Sequence, residues 1–367
     1  MQEQDLGAAL RAAHPELEAV RREASEPVYL VGGAVRDLLL GRPRADVDLV
    51  VEGDAAALAA RLGGAGAEHE RFGTVKVELD GHELDIATAR SETYPHPGAL
   101  PVVAPARSVE EDLDRRDFTV NAMALPLDGE PRLVDPRGGR DDLERGLLRV
   151  LHPRSFEDDP TRAIRAARYA SRYGFTLEPE TDRLLRQADL ATVSADRRRA
   201  ELERLAAEPN GAVGLGLLAG WGVIDLREGG VELMESVEGL LKAPQWAEMV
   251  PREQALIAAA LGPEGTEKVL ASMWAPKPGE GVELAERRDP VELILARAMG
   301  ASWLDQYLTV WRGIELEIDG DDLIAKGIPQ GPAIGRGLRA ARLKKLEGEI
   351  SGRDDELATA LAAALRD

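Results

Sequence analysis

Apolar positions recur at helical spacing near the amino end, and residues 12–25 read as one amphipathic helix. After Pro27 the pattern changes to a continuous apolar run, Val28-Tyr29-Leu30-Val31, of strand length and β-branched character. Gly32-Gly33 follow, and Ala34 to Leu40 reads as a helix stopping at Gly41. Val47 to Val51 reads as a second strand and Ala55 to Leu62 as a helix. Val75 to Leu79 and Glu83 to Thr88 read as strands joined by a turn at Asp80-Gly81. Residues 91–107, rich in proline and small side chains, read as a long loop. Beyond Ser108 the pattern is mostly helical, and from about residue 151 no strand is expected. The reading is an α+β head followed by an all-helical remainder, with linkers at Pro209-Asn210-Gly211 and Pro276–Gly281 and no internal repeat.

Composition narrows the chemistry. A chain of 367 residues implies two to four units, and 44% hydrophobic with 31% charged residues implies a folded globular protein. With no cysteine, disulfide frameworks, thiolate zinc sites and a cysteine nucleophile are excluded. Five histidines, none in a tight pair, point any metal toward carboxylates, hence magnesium or manganese. The stretch Met1–Leu10 lacks a signal-peptide core, and no apolar run approaches the ~20 residues of a membrane span. A cytoplasmic protein with no membrane partner is expected. The net charge of −20 argues against an RNA binder unless cations cluster locally.

A strand, Gly32-Gly33 and a helix form an arrangement suited to phosphate, because glycine admits close backbone approach and free amides face the anion. Alone it is equally a tight turn. Thirteen residues after Gly33 comes Asp46-Val47-Asp48 at the start of a strand, where alternation puts Asp46 and Asp48 on one face. Such a pair suits two divalent ions over a triphosphate, although a lone Asp-x-Asp is also an ordinary solvated turn.

Together these features resemble the nucleotidyltransferase superfamily that includes DNA polymerase β, and Asp85 matches its third carboxylate. Residues 31–48, VGGAVRDLLLGRPRADVD, and 115–122, RRDFTVNA, closely resemble two motifs of the class II tRNA nucleotidyltransferase and bacterial poly(A) polymerase family. The resemblance implies a polymerase-β-like head with a mixed sheet, followed by a helical neck, body and tail, at 1–150, 151–208, 209–310 and 311–367. It implies Gly32, Gly33 and Arg36 on the pyrophosphate, and Arg115, Arg116, Asp117 and Asn121 on phosphate and ribose, with a structural role equally open for Asn121. EDDPTRAIRAAR, residues 157–168, resembles the neck motif in which an Asp and an Arg stand in for a template, at Asp159 and Arg162 here, with Arg165 and Arg168 continuing the face. Asp158 replaces the family's glutamate. Asp159 before Pro160 is also a good helix start. The helix after Ser194, with three arginines, suits helix packing as well as RNA contact.

Residues 326–345 hold Lys326, Arg336, Arg339, Arg342, Lys344 and Lys345 and no acid, resembling the tRNA-gripping tail of CCA-adding enzymes. The implied activity is two-metal transfer from CTP and ATP to the 3′ end of tRNA, with two Mg²⁺ ions (or Mn²⁺) on Asp46 and Asp48, Asp85 helping to activate the 3′-hydroxyl, and no obligate protein partner. CC-only relatives lack part of the loop between the first two motifs, whereas 66 residues separate Asp48 from Arg115 here. SETYPHPGALPVV and VLHPRSFEDDPTR also resemble A-adding relatives, and poly(A) polymerase remains a third activity. A non-catalytic tRNA-binding protein would be marked by a lost carboxylate or a broken Arg-Arg-Asp, and all are intact. A transferase acting on small antibiotics or proteins would need neither the neck motif nor the basic tail.

Overall fold

The computed structural model describes residues 3–42, 47–63, 73–79, 81–129, 132–262, 270–271 and 276–366. It divides into two compact units, Met1–Ile224 and Asp225–Asp367.

The first unit opens with α1 (Glu3–Ala13) and α2 (Leu17–Glu23) where one helix over 12–25 was expected. Pro15 is the cause: it has no N–H to continue the ladder, so α1 closes with His14 N donating to Leu10 O at 2.9 Å. The helical period survives the break, and Leu6, Leu10, Leu17 and Val20 are all buried. There follow β1 (Val28–Val31), α3 (Gly33–Leu39), β2 (Val47–Val51), α4 (Ala55–Arg61), β3 (Thr74–Leu79) and β4 (His82–Thr88). With β7 (Ala124–Pro126) these strands form one sheet in the order β3-β4-β2-β1-β7. The β2–β4 pair is parallel and the other neighbours are antiparallel, the mixed sheet expected of the head. Alternation divides the strands between two cores: Leu30 and Leu49 join the helices in the larger cluster, while Val31 and Val50 pack with Val109 and Leu113. A three-residue edge strand ending in proline is too short to show a period, and β7 was not read from the sequence.

The segment 91–107 is not a loop. β5 (Arg90–Thr93) and β6 (Val102–Pro105) form a separate antiparallel ribbon, Arg90 opposite Pro105 and Thr93 opposite Val102. Pro105 is accommodated at a strand end. After α5 (Val109–Asp114) and β7 come α6 (Gly139–Arg145), β8 (Leu147–Leu148), α7 (Ser155–Asp158), α8 (Thr161–Tyr173), β9 (Thr176–Leu177), α9 (Pro179–Leu185), α10 (Ala195–Ala207) and α11 (Gly211–Gly220). β9 is the strand beyond 151 that the pattern did not reveal; it pairs with β8 over two residues. Pro209-Asn210-Gly211 is a packed turn rather than a linker: Asn210 Nδ2 donates to Ser171 O at 2.9 Å, and a Cβ on Gly211 would lie 2.4 Å from Ala206 O.

The second unit is helical throughout its described residues: α12 (Gly230–Leu240), α13 (Pro244–Ala247), α14 (Arg252–Leu261), then Pro278–Ala285, Pro290–Ala298, Trp303–Thr309, Gly320–Ala325, Pro332–Leu346 and Arg353–Ala364, with a short 3₁₀ turn at Trp311–Gly313. The expected linker Pro276–Gly281 is largely the start of a helix. Gly279 and Gly281 are there for close packing, since a Cβ would meet Leu343 at 2.8 Å and Trp311 at 2.7 Å. No described helix is long and apolar enough to cross a membrane.

Leu30 is fully buried in β1, which is hydrogen-bonded on both sides. Leu30→Ala is expected to destabilise the first unit by about 3 kcal/mol, measured by urea unfolding.

Candidate active site

The turn between β1 and α3 depends on Gly32. Its φ is +65°, and a Cβ there would lie 2.4 Å from Arg116 Nη1, so the absent side chain is what admits the arginine. On the next strand Asp48 stands level with Asp85 in the parallel register of β2 and β4. Register partners in neighbouring strands present their side chains on one face. Asp85 also pairs with Lys76 Nζ at 3.5 Å. Asp46 lies outside the described residues.

Past the hairpin, Asp112 is fully buried in α5 and fixes both arginines of the Arg-Arg-Asp motif: Arg115 Nε donates to Oδ1 at 2.9 Å and Arg116 Nη2 to Oδ2 at 3.1 Å. Burial opposes ionisation of Asp112, but the charges of Arg116 and Arg115 hold its pKa below the ordinary carboxylate value. Arg115 Nη1 reaches Glu92 Oε1 on β5 at 3.0 Å, and Tyr94 OH donates to the other Glu92 oxygen at 3.1 Å. Burial first, then the neighbouring carboxylates against Arg162, push the Tyr94 phenol up to about 12.

Asp117 is buried at the centre. Its Oδ1 accepts from Phe118 N at 2.8 Å and Asn121 Nδ2 at 2.9 Å, and its Oδ2 accepts from Arg165 Nε at 2.8 Å. Burial alone would raise this carboxyl's pKa. The Arg165 charge, with the Asn121 and Arg165 hydrogen bonds, holds it far below the usual range instead. Asn121 passes the constraint on, accepting from Arg36 Nη1 at 2.6 Å. Arg36 also donates to Asp37 and Tyr173 and lies 4.4 Å from the Tyr173 ring centre. The expected ribose and pyrophosphate ligands Asp117 and Arg36 thus already hold protein partners.

At the neck, Asp159 forms the expected capping bond, accepting from Thr161 N at 3.1 Å, although Pro160 occupies the cap position of α8. Arg162 is buried, bonding Ser155 Oγ at 2.6 Å and Arg115 O at 2.8 Å.

Most of these groups line one cavity of about 610 Å³, with Asp112 and Ser155 behind its wall. Gly33, Ala34, Asp37, Asp48, Glu92, Tyr94, Asn121, Asp117 and Asp159 contribute to its wall with Arg36, Arg115, Arg116, Arg162, Arg165, Arg168 and Arg172. Seven arginines against five carboxylates make it a cationic chamber in a −20 chain. The Nε atoms of Arg116 and Arg168 are buried without a hydrogen-bond partner. Asp85 and Gly32 are outside the lining. No group of three or more potential metal ligands is gathered among the described residues. The Asp48 carboxylate beside Asp85 fits a hard divalent cation.

The sequence did not single out Asp112, Glu92 or Tyr94. Asp112 had a signal, being three and four residues before the two arginines on a helix. Glu92 and Tyr94 follow Arg90 at alternate positions, a strand period hidden in a segment read as loop.

The tail cations lie in the second unit. Arg339 pairs with Glu283, Arg342 with Glu286, Lys344 with Glu349 and Lys345 with the buried Glu356. Lys326 and Arg336 have no carboxylate partner among the described residues; Arg336 reaches only Arg366 O at 3.4 Å.

A mixed sheet carrying paired carboxylates beside an arginine-lined chamber defines a nucleotidyltransferase head, and residues 28–149 match the family described as "Poly A polymerase head domain". The chain is 37% identical over 352 residues to the CC-adding tRNA nucleotidyltransferase of Deinococcus radiodurans, covering 92% of this chain and 89% of that one. It is 51% identical over 166 residues to the A-adding tRNA nucleotidyltransferase of Aquifex aeolicus, covering 44% of this chain and 20% of the relative. A solved CCA-adding enzyme in complex with CTP superposes with a TM-score of 0.81 at 29% identity, covering 100% of both chains. The chain belongs to the class II tRNA nucleotidyltransferase family. It spans 20, 45 and 46% of the length of the A-adding relatives it matches.

Because its folded pKa is depressed, Asp117 contributes stability that is fully present above the unfolded carboxyl value of about 3.9 and is lost as pH falls from there toward the folded value. Asp117→Asn is expected to melt at lower temperature than wild type at pH 7, with the gap narrowing below about pH 4. A gap independent of pH would mean that folding does not shift the pKa of this carboxyl.

Proposed function

We propose that this protein extends the 3′ end of tRNA without a template, adding CCA from CTP and ATP and releasing pyrophosphate. One observation carries the reading: Asp48, the Arg-Arg-Asp motif, and Asp159 with Arg162 all line a single arginine-rich cavity large enough for a nucleoside triphosphate. The guanidinium groups of Arg116 and Arg168, which line the cavity, would bind phosphate oxygens. Arg165, oriented by Asp117, would add charge where pyrophosphate departs. Asp159 and Arg162 would hydrogen-bond the base edge, and Asp85, level with Asp48, would draw on the proton of the attacking 3′-hydroxyl. Asp46 and Asp48 would hold divalent ions, which supply charge neutralisation of the triphosphate. Lys326, Arg336, Arg339, Arg342, Lys344 and Lys345 would meet tRNA phosphates, the paired ones only by exchanging their carboxylates.

The names of the A-adding and CC-adding relatives support a second reading, a split activity adding part of CCA. The β5–β6 hairpin, in the loop that CC-only relatives lack in part, speaks against the CC-adding reading and leaves the A-adding one open.

Labelled CTP and ATP, separately and together, distinguish these on tRNA transcripts ending before CCA, after C and after CC. Growth to CCA on all three followed by arrest is expected. A single A on the CC-ended transcript alone, or arrest after CC, would establish a split activity; unlimited A addition would make it a poly(A) polymerase. Asp48→Ala is expected to abolish incorporation with tRNA binding retained, and turnover by that variant would refute the metal assignment. Lys326→Ala combined with Arg336→Ala is expected to weaken tRNA binding and reduce the slope of log K against log salt by about 2, measured by filter binding.

A further inference from the structure

One side chain outside the cavity lining touches two of the parts that shape it. Arg197, in the first turn of α10, donates from Nη1 to Gly98 O at 2.9 Å and from Nη2 to Asp159 Oδ1 at 3.1 Å. Gly98 lies at the tip of the β5–β6 hairpin, and its N–H donates to Glu157 O at 3.2 Å. Its φ is +70°, and a Cβ would stand 2.5 Å from Thr192 Oγ1 and 2.6 Å from Thr192 O, so the tip docks this closely only as glycine. Asp159 Oδ1 takes three hydrogen bonds, from Arg197 Nη2, Thr161 N and Thr161 Oγ1 at 2.7 Å. That oxygen is filled, which fixes the carboxylate plane and leaves Oδ2 for a ligand. The same hairpin carries Glu92, on Arg115, and Tyr94 into the cavity wall.

We propose that Arg197 is a positioning residue for base selection: it makes the orientation of the Asp159 carboxylate depend on the docking of the hairpin tip. The inference rests on the reading of Asp159 as a base-contacting group. A guanidinium suits the task, because its rigid fork presents two nitrogens to two acceptors at once. An ammonium keeps the charge but offers a single nitrogen, and cannot hold both acceptors in the same geometry. A hairpin withdrawn from Arg197 would remove one of its two acceptors, leaving the guanidinium free to pivot on Asp159 and the carboxylate fixed by Thr161 alone.

The test measures kcat and KM for CTP, ATP, UTP and GTP on tRNA transcripts with the full chain, alongside the melting temperature of each variant. Arg197→Lys is expected to melt like wild type yet lose roughly tenfold in discrimination of CTP and ATP against UTP and GTP. Gly98→Ala, which lifts the tip without touching Asp159, is expected to lose discrimination similarly. Arg198→Ala removes a neighbouring arginine that holds Leu190 O at 3.2 Å, and should keep wild-type discrimination. Wild-type discrimination in Arg197→Lys, or an equal loss of rate for all four nucleotides, would overturn the proposal. Asp159→Ala separates the two layers. If it too leaves discrimination unchanged, the base-contact reading fails; if it alone lowers discrimination, only the role of Arg197 fails.

Discussion

The Asp117–Arg165 ion pair holds the arginine-lined chamber together. The Asp117 carboxylate is withdrawn from water, which costs several kcal/mol before the attraction of Arg165 is counted, whereas about 31% of the Arg165 side chain stays exposed. The pair is tolerable because nearly every lone pair and donor around it is satisfied: Phe118 N and Asn121 fill one carboxylate oxygen, and Arg165 fills the other while reaching Tyr169 OH. Its worth lies in geometry more than in net stability. It fixes α8 to the segment that follows α5, and through Asn121 it fixes Arg36 and hence α3. Three elements far apart in sequence are thereby set around one space.

The arginines of that space follow a common design. Each is aimed by a group of the protein before any ligand arrives: Arg115 and Arg116 by Asp112, Arg162 by Ser155 and a backbone carbonyl, Arg165 by Asp117. Orientation is settled during folding, so an entering polyanion does not bear the loss of side-chain freedom that long arginines otherwise incur. A chain of net charge −20 can therefore present a cationic chamber: carboxylates hold the arginines in place, and seven arginines outnumber five carboxylates in the lining. The tail repeats the pattern with opposite consequence, because there the carboxylates cover most of the cations.

The parts legible in the sequence were those written in contiguous residues. The β1–Gly32–Gly33–α3 turn, β2, the β3–β4 pair and the Arg-Arg-Asp run stand where the pattern put them. What was not legible depends on partners distant in the chain. The stretch 326–345 contains no acid, yet Glu283, Glu286, Glu349 and Glu356 close on it from either side. The hairpin was missed because its prolines and small residues mask a four-residue alternation, and α1 and α2 were misjoined because a helical period does not register a proline between turns. Asn121, open between ligand contact and structure on sequence grounds, proves to be a bridge between Asp117 and Arg36.

Backbone geometry then decides how close the walls may come. Gly32 and Gly98 both have positive φ, and both occupy points where a Cβ would overlap another group, the Arg116 guanidinium in one case and Thr192 in the other. At Gly32 the missing side chain brings an arginine of the second motif against the turn of the first. At Gly98 it brings the hairpin tip within reach of Arg197, and so onto the carboxylate at Asp159. Side chains supply the charge of the chamber, but two absences of a side chain set the distances over which that charge acts. A cavity built this way has two walls of different character: the head wall, closed by a turn inside a five-stranded sheet, and the hairpin wall, attached at its tip by the Glu157 carbonyl and one arginine. The head wall bears Arg36, Arg115 and Arg116. The hairpin wall carries Glu92 and Tyr94 and is tied through Arg197 to the carboxylate of Asp159, so its position and that of the neck carboxylate are set together.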